Sequence, residues 1–473
     1  MGGLAFASGP DPIVTPRMKP HVYRAVRDQC QEKLRDLFVV VAAPIEGPAK
    51  SSFGDIDLFV AWERKDVFPP LEPASSGELV ESPKEAVSRV LGAIRCKSDN
   101  KHVVTMAIPW PEAFPYSDAE SNIELLPNAS TNELAGEQNN DRNKDAASNN
   151  QKPPCIQVDI HICETLEYLQ WMLFKHAHGD LWNILGSTIR PSGLTIDEVG
   201  LYVRIPEIEE LNKTEAKVLL STEPGGILRF LGLAFGGAQW EEPFPSDQAI
   251  FEYAATCRLF FARPKRPEED DEGGGGGGSP ETDRRRLKAN DRRRMNYRPL
   301  FRKWVEEFVP ACRESGRYPP TGPTRDEVRA QAFASFPGAA PTYAARATAW
   351  RVRRQREALW RDVIKPAVPG DMPYERRGCC TAALKKIILH GDASFGGIVA
   401  PAGLKGEDGF FDEEAVRVWV EGNWEVVLEA AWKANHERFV AHMEESKGAT
   451  KRTVSGLEKS PGGGSPSGRT GMD

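Results

Sequence analysis

Cysteine is scarce in this chain: eight residues in 473, with no CxxC pair among them. That is too few for a disulfide framework at this length, and it points to reduced thiols in an intracellular setting, nuclear or cytoplasmic. Long apolar runs are missing as well. The longest, Leu37 to Ile45, is about nine residues, against the ~20 that a membrane-spanning helix requires, so no membrane partner is expected. The first residues carry no basic region leading into an apolar stretch, so no secretory signal is expected, and Phe6 stands where a myristoylation signal would want Ser or Thr. No internal repeat recurs at a fixed period.

What is present is ordinary globular composition, 40% hydrophobic and 27% charged, with a glycine and proline excess (42 and 37 residues) that predicts long irregular stretches. At ~150 residues per domain, the length suggests two or three domains. The net charge of −7 hides a strong polarity: between Asp283 and Lys365 there are 21 Lys/Arg against nine Asp/Glu, so the remainder is markedly acidic. A basic half on an acidic chain points toward a polyanionic partner.

The organisation reads as follows. Residues 1–18 are expected to be disordered. Residues 19–262 form one domain, interrupted by an Asn/Glu/Asp/Ser-rich, apolar-poor insertion at 111–153. The stretch 263–282, with five consecutive acids from Glu268 and then six glycines, reads as a linker. Residues 283–446 form a helical basic domain, and 447–473 a disordered tail. Within the first domain, hydrophobic spacing predicts a helix over 19–37, strands at 38–43, 55–62, 102–108 and 155–163, and helices near 83–94, 165–178 and 246–262. The strand at 155–163 alternates strictly: Ile156, Val158, Ile160 and Ile162 on one face, Gln157, Asp159, His161 and Cys163 on the other.

Two acids at i and i+2 on a strand point to one face, so Asp55 and Asp57 can share one cation, and Asp159 on a neighbouring strand completes an oxygen set suited to Mg²⁺ or Mn²⁺. Ser51, Ser52 and Gly54 just before them allow a backbone to approach phosphate closely. His161 and Cys163 lie beside Asp159, but their spacing to Cys155, His176 or His178 fits no structural zinc motif, and they read as packing beside the site.

Ser51-Ser52-Phe53-Gly54-Asp55-Ile56-Asp57 followed by Val158-Asp159-Ile160-His161 resembles the DNA polymerase beta-like nucleotidyltransferase superfamily, in particular the family X polymerases. The order Phe174 to Asn183 and then Ser192-Gly193-Leu194-Thr195 is similar too, so the resemblance covers roughly residues 20–262. It implies an α/β (α+β) fold: a nucleotidyltransferase palm of small mixed sheet and flanking helices, followed here by an all-helical C-terminal domain. It implies an enzyme that moves a nucleoside monophosphate from an NTP or dNTP to a hydroxyl acceptor, a nucleic-acid 3′ end in the first instance, and releases pyrophosphate. Asp55, Asp57 and Asp159 would be catalytic and metal-binding; Lys50, Ser51, Ser52, Gly54, Asp180 and Asn183 would bind the nucleotide. The pattern departs from the family upstream of the acids, where Pro44-Ile45-Glu46-Gly47-Pro48-Ala49-Lys50 replaces the Gly-Ser or Gly-Gly pair. Glu46 there repels phosphate, which favours a second expectation: an inactive member acting as a nucleic-acid-binding or scaffold protein. In the basic half, Arg292, Arg293, Arg294, Arg353 and Arg354, with Trp350 and Trp360 interleaved, are the candidate nucleic-acid contacts.

Overall fold

The computed structural model describes residues 3–64, 82–100, 102–116, 153–264 and 289–457. Most of the expected insertion, the linker from 265 and the tail from 458 lie outside the described residues. The chain divides into two compact units, Met1–Pro341 and Thr342–Asp473.

The first unit opens with α1 (Pro20–Arg35), with Pro20 in its first turn, where a missing N–H costs nothing. Its spacing buries Val22, Tyr23, Val26, Cys30 and Leu34. β1 (Phe38–Ala42) and β2 (Asp55–Glu63) follow. Then come α2 (Pro83–Val90), held by a Ser82/Glu85 capping box, β3 (Arg95–Asn100), β4 (Val103–Pro109) and β5 (Cys155–Cys163). These strands make one mixed sheet in the order β1-β2-β5-β4-β3, in which β2 and β5 are parallel and the other pairs antiparallel. One face carries Ile56, Leu58, Val60, Val104, Met106, Ile156, Val158 and Ile160, packed under α1 and α2 as the main core. Period-two alternation sends Asp55, Asp57, Phe59, Gln157, Asp159 and His161 to the opposite face.

α3 (Leu166–His176), capped by the Thr165 hydroxyl, and α4 (Leu181–Ile189) come next. β6 (Leu194–Ile196), β7 (Leu201–Arg204) and, after the short α5 (Pro206–Glu209), β8 (Lys217–Ser221) make a second, antiparallel sheet. α6 (Pro224–Leu231) and α7 (Asp247–Ala255) complete this region. The α+β class with a small mixed sheet and flanking helices is therefore what the chain forms.

Two expectations about organisation need correction. Residues 3–18, expected to be disordered, are packed: Phe6, Ile13 and Met18 are buried, and Phe6 and Ile13 cluster with Ala107 and Cys155. Phe6 and Ile13 anchor the stretch on one face of the sheet, and Met18 enters the main core on the other. The unit boundary also falls later than the linker at 263–282. α8 (Ala289–Tyr297), α9 (Pro299–Lys303), a π-helical turn (Trp304–Phe308), α10 (Val309–Ser315) and α11 (Arg325–Ser335) belong to the first unit. Aromatic packing holds them there: Trp304 and Phe308 meet Phe251, and Trp304 meets Phe260 at 5.3 Å.

α12 (Ala339–Ala358) runs into the second unit, continues as a π-helical turn (Leu359–Ile364), and is followed by α13 (Tyr374–His390) and α14 (Glu413–Leu457). The core of that unit is Leu359, Ile364, Leu384, Ile387, Val416, Val420 and Val427. It is helical among the described residues apart from one isolated bridge between Lys405 and Phe411. α14 extends past the expected limit of 446 into the segment expected to be a tail. Among the described residues, no helix is long and apolar enough to cross a membrane.

Candidate active site

Three acids separated by about a hundred residues converge through strand register. β2 and β5 pair in parallel so that Asp57 stands opposite Asp159, Asp55 opposite Gln157 and Phe59 opposite His161. β4 contributes Thr105, opposite Asp159 from the other side. Pleating puts all these side chains on the sheet face away from α1 and α2.

The electrostatics show the cost of gathering these groups. Burial and the neighbouring Asp57 and Asp159 charges push the Asp55 carboxyl up to about 7 from an ordinary 3.8. Burial also raises Asp159, opposed by hydrogen bonds from Thr105 and Gln157. Asp57 goes the other way: burial resists its charge, but His161 beside it, then His176 and Lys50, hold its carboxyl below the usual range. His161 Nε2 lies 3.7 Å from Asp57 Oδ1. The His161 ring stacks on Phe59 at 4.4 Å and meets His176 at 5.5 Å, while His176 Nδ1 lies 2.9 Å from the Met172 carbonyl.

One atom in this cluster lacks a partner. Asp159 Oδ2 accepts from Gln157 Nε2 at 3.0 Å, whereas Asp159 Oδ1 is buried and makes no hydrogen bond. A buried carboxylate oxygen without a hydrogen bond, in a cluster with two further carboxylates, suits a hard cation, so the residues present fit one. Among the described residues, however, no group of three or more His, Cys, Asp or Glu side chains stands arranged to hold a metal ion as placed.

The loop before β2 is already engaged. Lys50 Nζ donates to Glu46 Oε2 at 2.9 Å, and the Tyr23 hydroxyl donates to the other Glu46 oxygen. Tyr23 stacks on Phe53 at 3.9 Å, and burial beside Glu46 lifts its hydroxyl far above the ordinary range. Arg17 binds Ser52 twice, Nε to the hydroxyl at 2.8 Å and Nη2 to the carbonyl at 2.9 Å. Ser51 is exposed and Gly54 buried. The His178 N–H donates to the Ile45 carbonyl at 2.7 Å, tying this loop to the turn before α4.

Asp180 and Asn183 are placed together and hydrogen-bonded to one another. Asp180 is nearly buried, with Oδ1 taken by Arg298 Nη1 at 2.5 Å and by Asn183 Nδ2 at 3.2 Å. Among the expected nucleic-acid contacts, Arg292 and Arg293 are exposed on α8, while Arg294 pairs with Asp291 at 2.6 Å, which Arg190 also binds. Arg353 lies over the Trp350 ring at 4.6 Å and Arg354 pairs with Glu357, both in the second unit. The register groups the Asp triad; the arginines divide between the two units.

Sequence reasoning missed Gln157 and Thr105, whose contacts run to Asp159. The alternation of 155–163 held the signal for Gln157, which shares the Asp159 face two residues upstream. Nothing local marked Thr105, because its relation to Asp159 exists only across strands.

No known family matches the sequence, and no curated protein does. Among solved structures, polymerase beta of Leishmania infantum in a ternary P/T complex aligns at 12% identity, over 49% of this chain and 78% of that one, with a TM-score of 0.28. A likeness that loose carries no argument, and the functional reading rests on the residues themselves.

Proposed function

We propose that the chain is a metal-dependent nucleotidyltransferase with a nucleoside triphosphate as donor and a hydroxyl as acceptor, a nucleic-acid 3′ end in the first instance. The observation that carries the reading is the Asp57–Asp159 register together with the unpartnered Asp159 Oδ1. Asp55, Asp57 and Asp159 would hold Mg²⁺ or Mn²⁺. When bound, the cation would lower the proton affinity of the attacking hydroxyl and offset charge on the triphosphate. The chain's own part is to hold three carboxylates on one rigid face, to place Ser51, Ser52 and Gly54 beside them, and to aim the Asp57 carboxylate from His161. Exposed Arg292, Arg293 and Arg353 would add a salt-sensitive attraction for nucleic acid.

A second reading is favoured by the state of the Lys50 loop. Glu46 neutralises Lys50, and Arg298 occupies Asp180, so two groups expected to meet the nucleotide are engaged within the protein. On that reading the chain is a catalytically inactive scaffold or nucleic-acid-binding protein. Calorimetric titration with each nucleoside triphosphate in Mg²⁺ separates the two. Heat that EDTA abolishes, followed by incorporation of labelled nucleotide into a DNA or RNA acceptor, supports the enzyme. A silent titration supports the scaffold.

A further inference from the structure

The segment that begins at Gly3 packs Phe6 and Ile13 on the same sheet face as the three carboxylates, and its contacts reach their neighbours Gln157 and Gly54. Phe6 and Ile13 are buried against Ala107 and Cys155, and the Cys155 N–H donates to the Val14 carbonyl at 2.9 Å. Lys97 binds the Ala5 carbonyl and covers the Phe6 ring at 5.2 Å. At Gly3 the approach is so close that a Cβ would stand 2.4 Å from the Gly54 carbonyl oxygen, and its φ of +87° also favours glycine. This strap therefore touches the residue that precedes Asp55.

The relay runs through Gln157, only 5% exposed. Its two amide ends are used in opposite directions: Oε1 accepts the Ala5 N–H at 3.0 Å, and Nε2 donates to Asp159 Oδ2 at 3.0 Å. An amide that accepts at one end must present its NH₂ at the other, so the Ala5 N–H decides which end of Gln157 faces Asp159. The bond to Oδ2 in turn fixes the Asp159 carboxylate and leaves Oδ1 as its open atom.

We propose that Gln157 is a positioning residue for the carboxylate cluster, and that the strap at residues 3–18 sets its orientation, so that strap docking and cation binding favour each other. The inference rests on the proposed cation site. Whatever lifts the strap lets the Gln157 amide turn, leaves Thr105 alone to hold the Asp159 carboxylate, and weakens the site. By reciprocity, a bound cation holds the strap down.

Mn²⁺ binding to the full chain, measured by electron paramagnetic resonance, tests this without any activity readout. Gln157→Ala removes both hydrogen bonds. Gln157→Glu keeps the acceptor for Ala5 but replaces the donor with a charge that repels Asp159. Ala5→Pro deletes the N–H while leaving Gln157 intact, and Phe6→Ala loosens the strap by a second route. Each variant is expected to weaken Mn²⁺ binding, by about tenfold for the two Gln157 changes, the scale usual for a partner that orients a metal-bound carboxylate. Mn²⁺ is expected to slow hydrogen exchange over residues 3–18 in the wild type and not in Gln157→Glu. Wild-type Mn²⁺ affinity in Gln157→Ala and Gln157→Glu, with the wild type binding normally, overturns the coupling and leaves the cation site standing. A wild-type chain that binds no Mn²⁺ overturns both.

Discussion

Asp57 and Asp159 face one another across two parallel strands, and the charge of each acts on the same third carboxylate, Asp55. Removing one charge should therefore be felt by the others. Asp57→Asn is expected to bring the Asp55 carboxyl down from about 7 toward its ordinary range and to abolish cation-dependent nucleotide binding. It should change folding stability by only about 1–2 kcal/mol, because relief of the repulsion on Asp55 offsets the lost attraction to His161. Carboxyl titration by NMR and calorimetry with Mg²⁺ check the two halves. Retained cation-dependent binding would end the case for a metal site here.

The raised Asp55 carboxyl makes a statement about stability. The folded chain keeps a proton on Asp55 up to about pH 7, whereas the unfolded chain releases it near ~3.9. Between those values the folded state binds more protons, so this group makes stability fall as pH rises through the window. In metal-free protein the unfolding midpoint should drop from pH 4 toward pH 7 by more than in Asp55→Asn, and added Mg²⁺ should recover the difference at pH 7. Equal pH profiles for the wild type and Asp55→Asn would show that Asp55 is not under this strain.

How much of this was legible depends on where each signal lived. The strands carrying the acids were readable because Ile156, Val158 and Ile160 alternate with Gln157, Asp159 and His161, and burial enforces that period. β3, β6 and β8 were missed: Arg95–Asn100 is a polar edge strand without alternation, and the other two span three and five residues. The region 283–446 reads as helical as a whole, but α11 and α13 are not marked out individually, because their Ala-rich and Arg/Lys-rich stretches give weak apolar stripes. Residues 3–18 misled through their composition, since the Phe6 and Ile13 anchors have meaning only beside Ala107 and Cys155. The Asp triad came from pattern, but the Gln157, Arg298 and Glu46 contacts that decide how it is held are tertiary.

Lys50 tests whether the loop before β2 serves a triphosphate. Its ammonium is paired with Glu46, a partly exposed ion pair of the sort worth ~1 kcal/mol or less. Glu46→Gln releases Lys50 and is expected to tighten triphosphate binding by up to about fivefold, while Lys50→Ala weakens it by a similar factor. Isothermal titration at constant Mg²⁺ reads both. No change in either variant would mean the loop does not meet phosphate.

Arg298 and Asp180 allow a structural role to be separated from a ligand contact. Arg298→Ala leaves a nearly buried carboxylate with only the Asn183 amide, and it should cost about 1–3 kcal/mol by chemical denaturation. Asp180→Asn should cost less, since it removes the stranded charge. If both variants unfold like the wild type and Asp180→Asn alone loses nucleotide affinity, Asp180 belongs to the ligand instead.

His178 supplies the opposite pH response to Asp55. Its ring is buried against Trp240 and Phe244, and that burial, opposed only in part by the Gln239 backbone, lowers it from 6.5 to about 4. Between those values the unfolded chain binds the extra proton, so His178 makes stability rise with pH, full above about 6.5 and lost as pH falls toward 4. His178 also holds a left-handed backbone, φ 60°, while its N–H fixes the Ile45 carbonyl. Charging the ring should therefore release the loop that carries Lys50 and Ser52 before the sheet unfolds. His178→Asn tolerates that backbone and does not titrate. It is expected to flatten the acid limb of the stability profile at some cost at pH 7 from the cavity it leaves. Hydrogen exchange of the loop at pH 4.5 against pH 7 follows the event directly: the wild type should open at the lower pH, and a loop equally protected at both would refute the link.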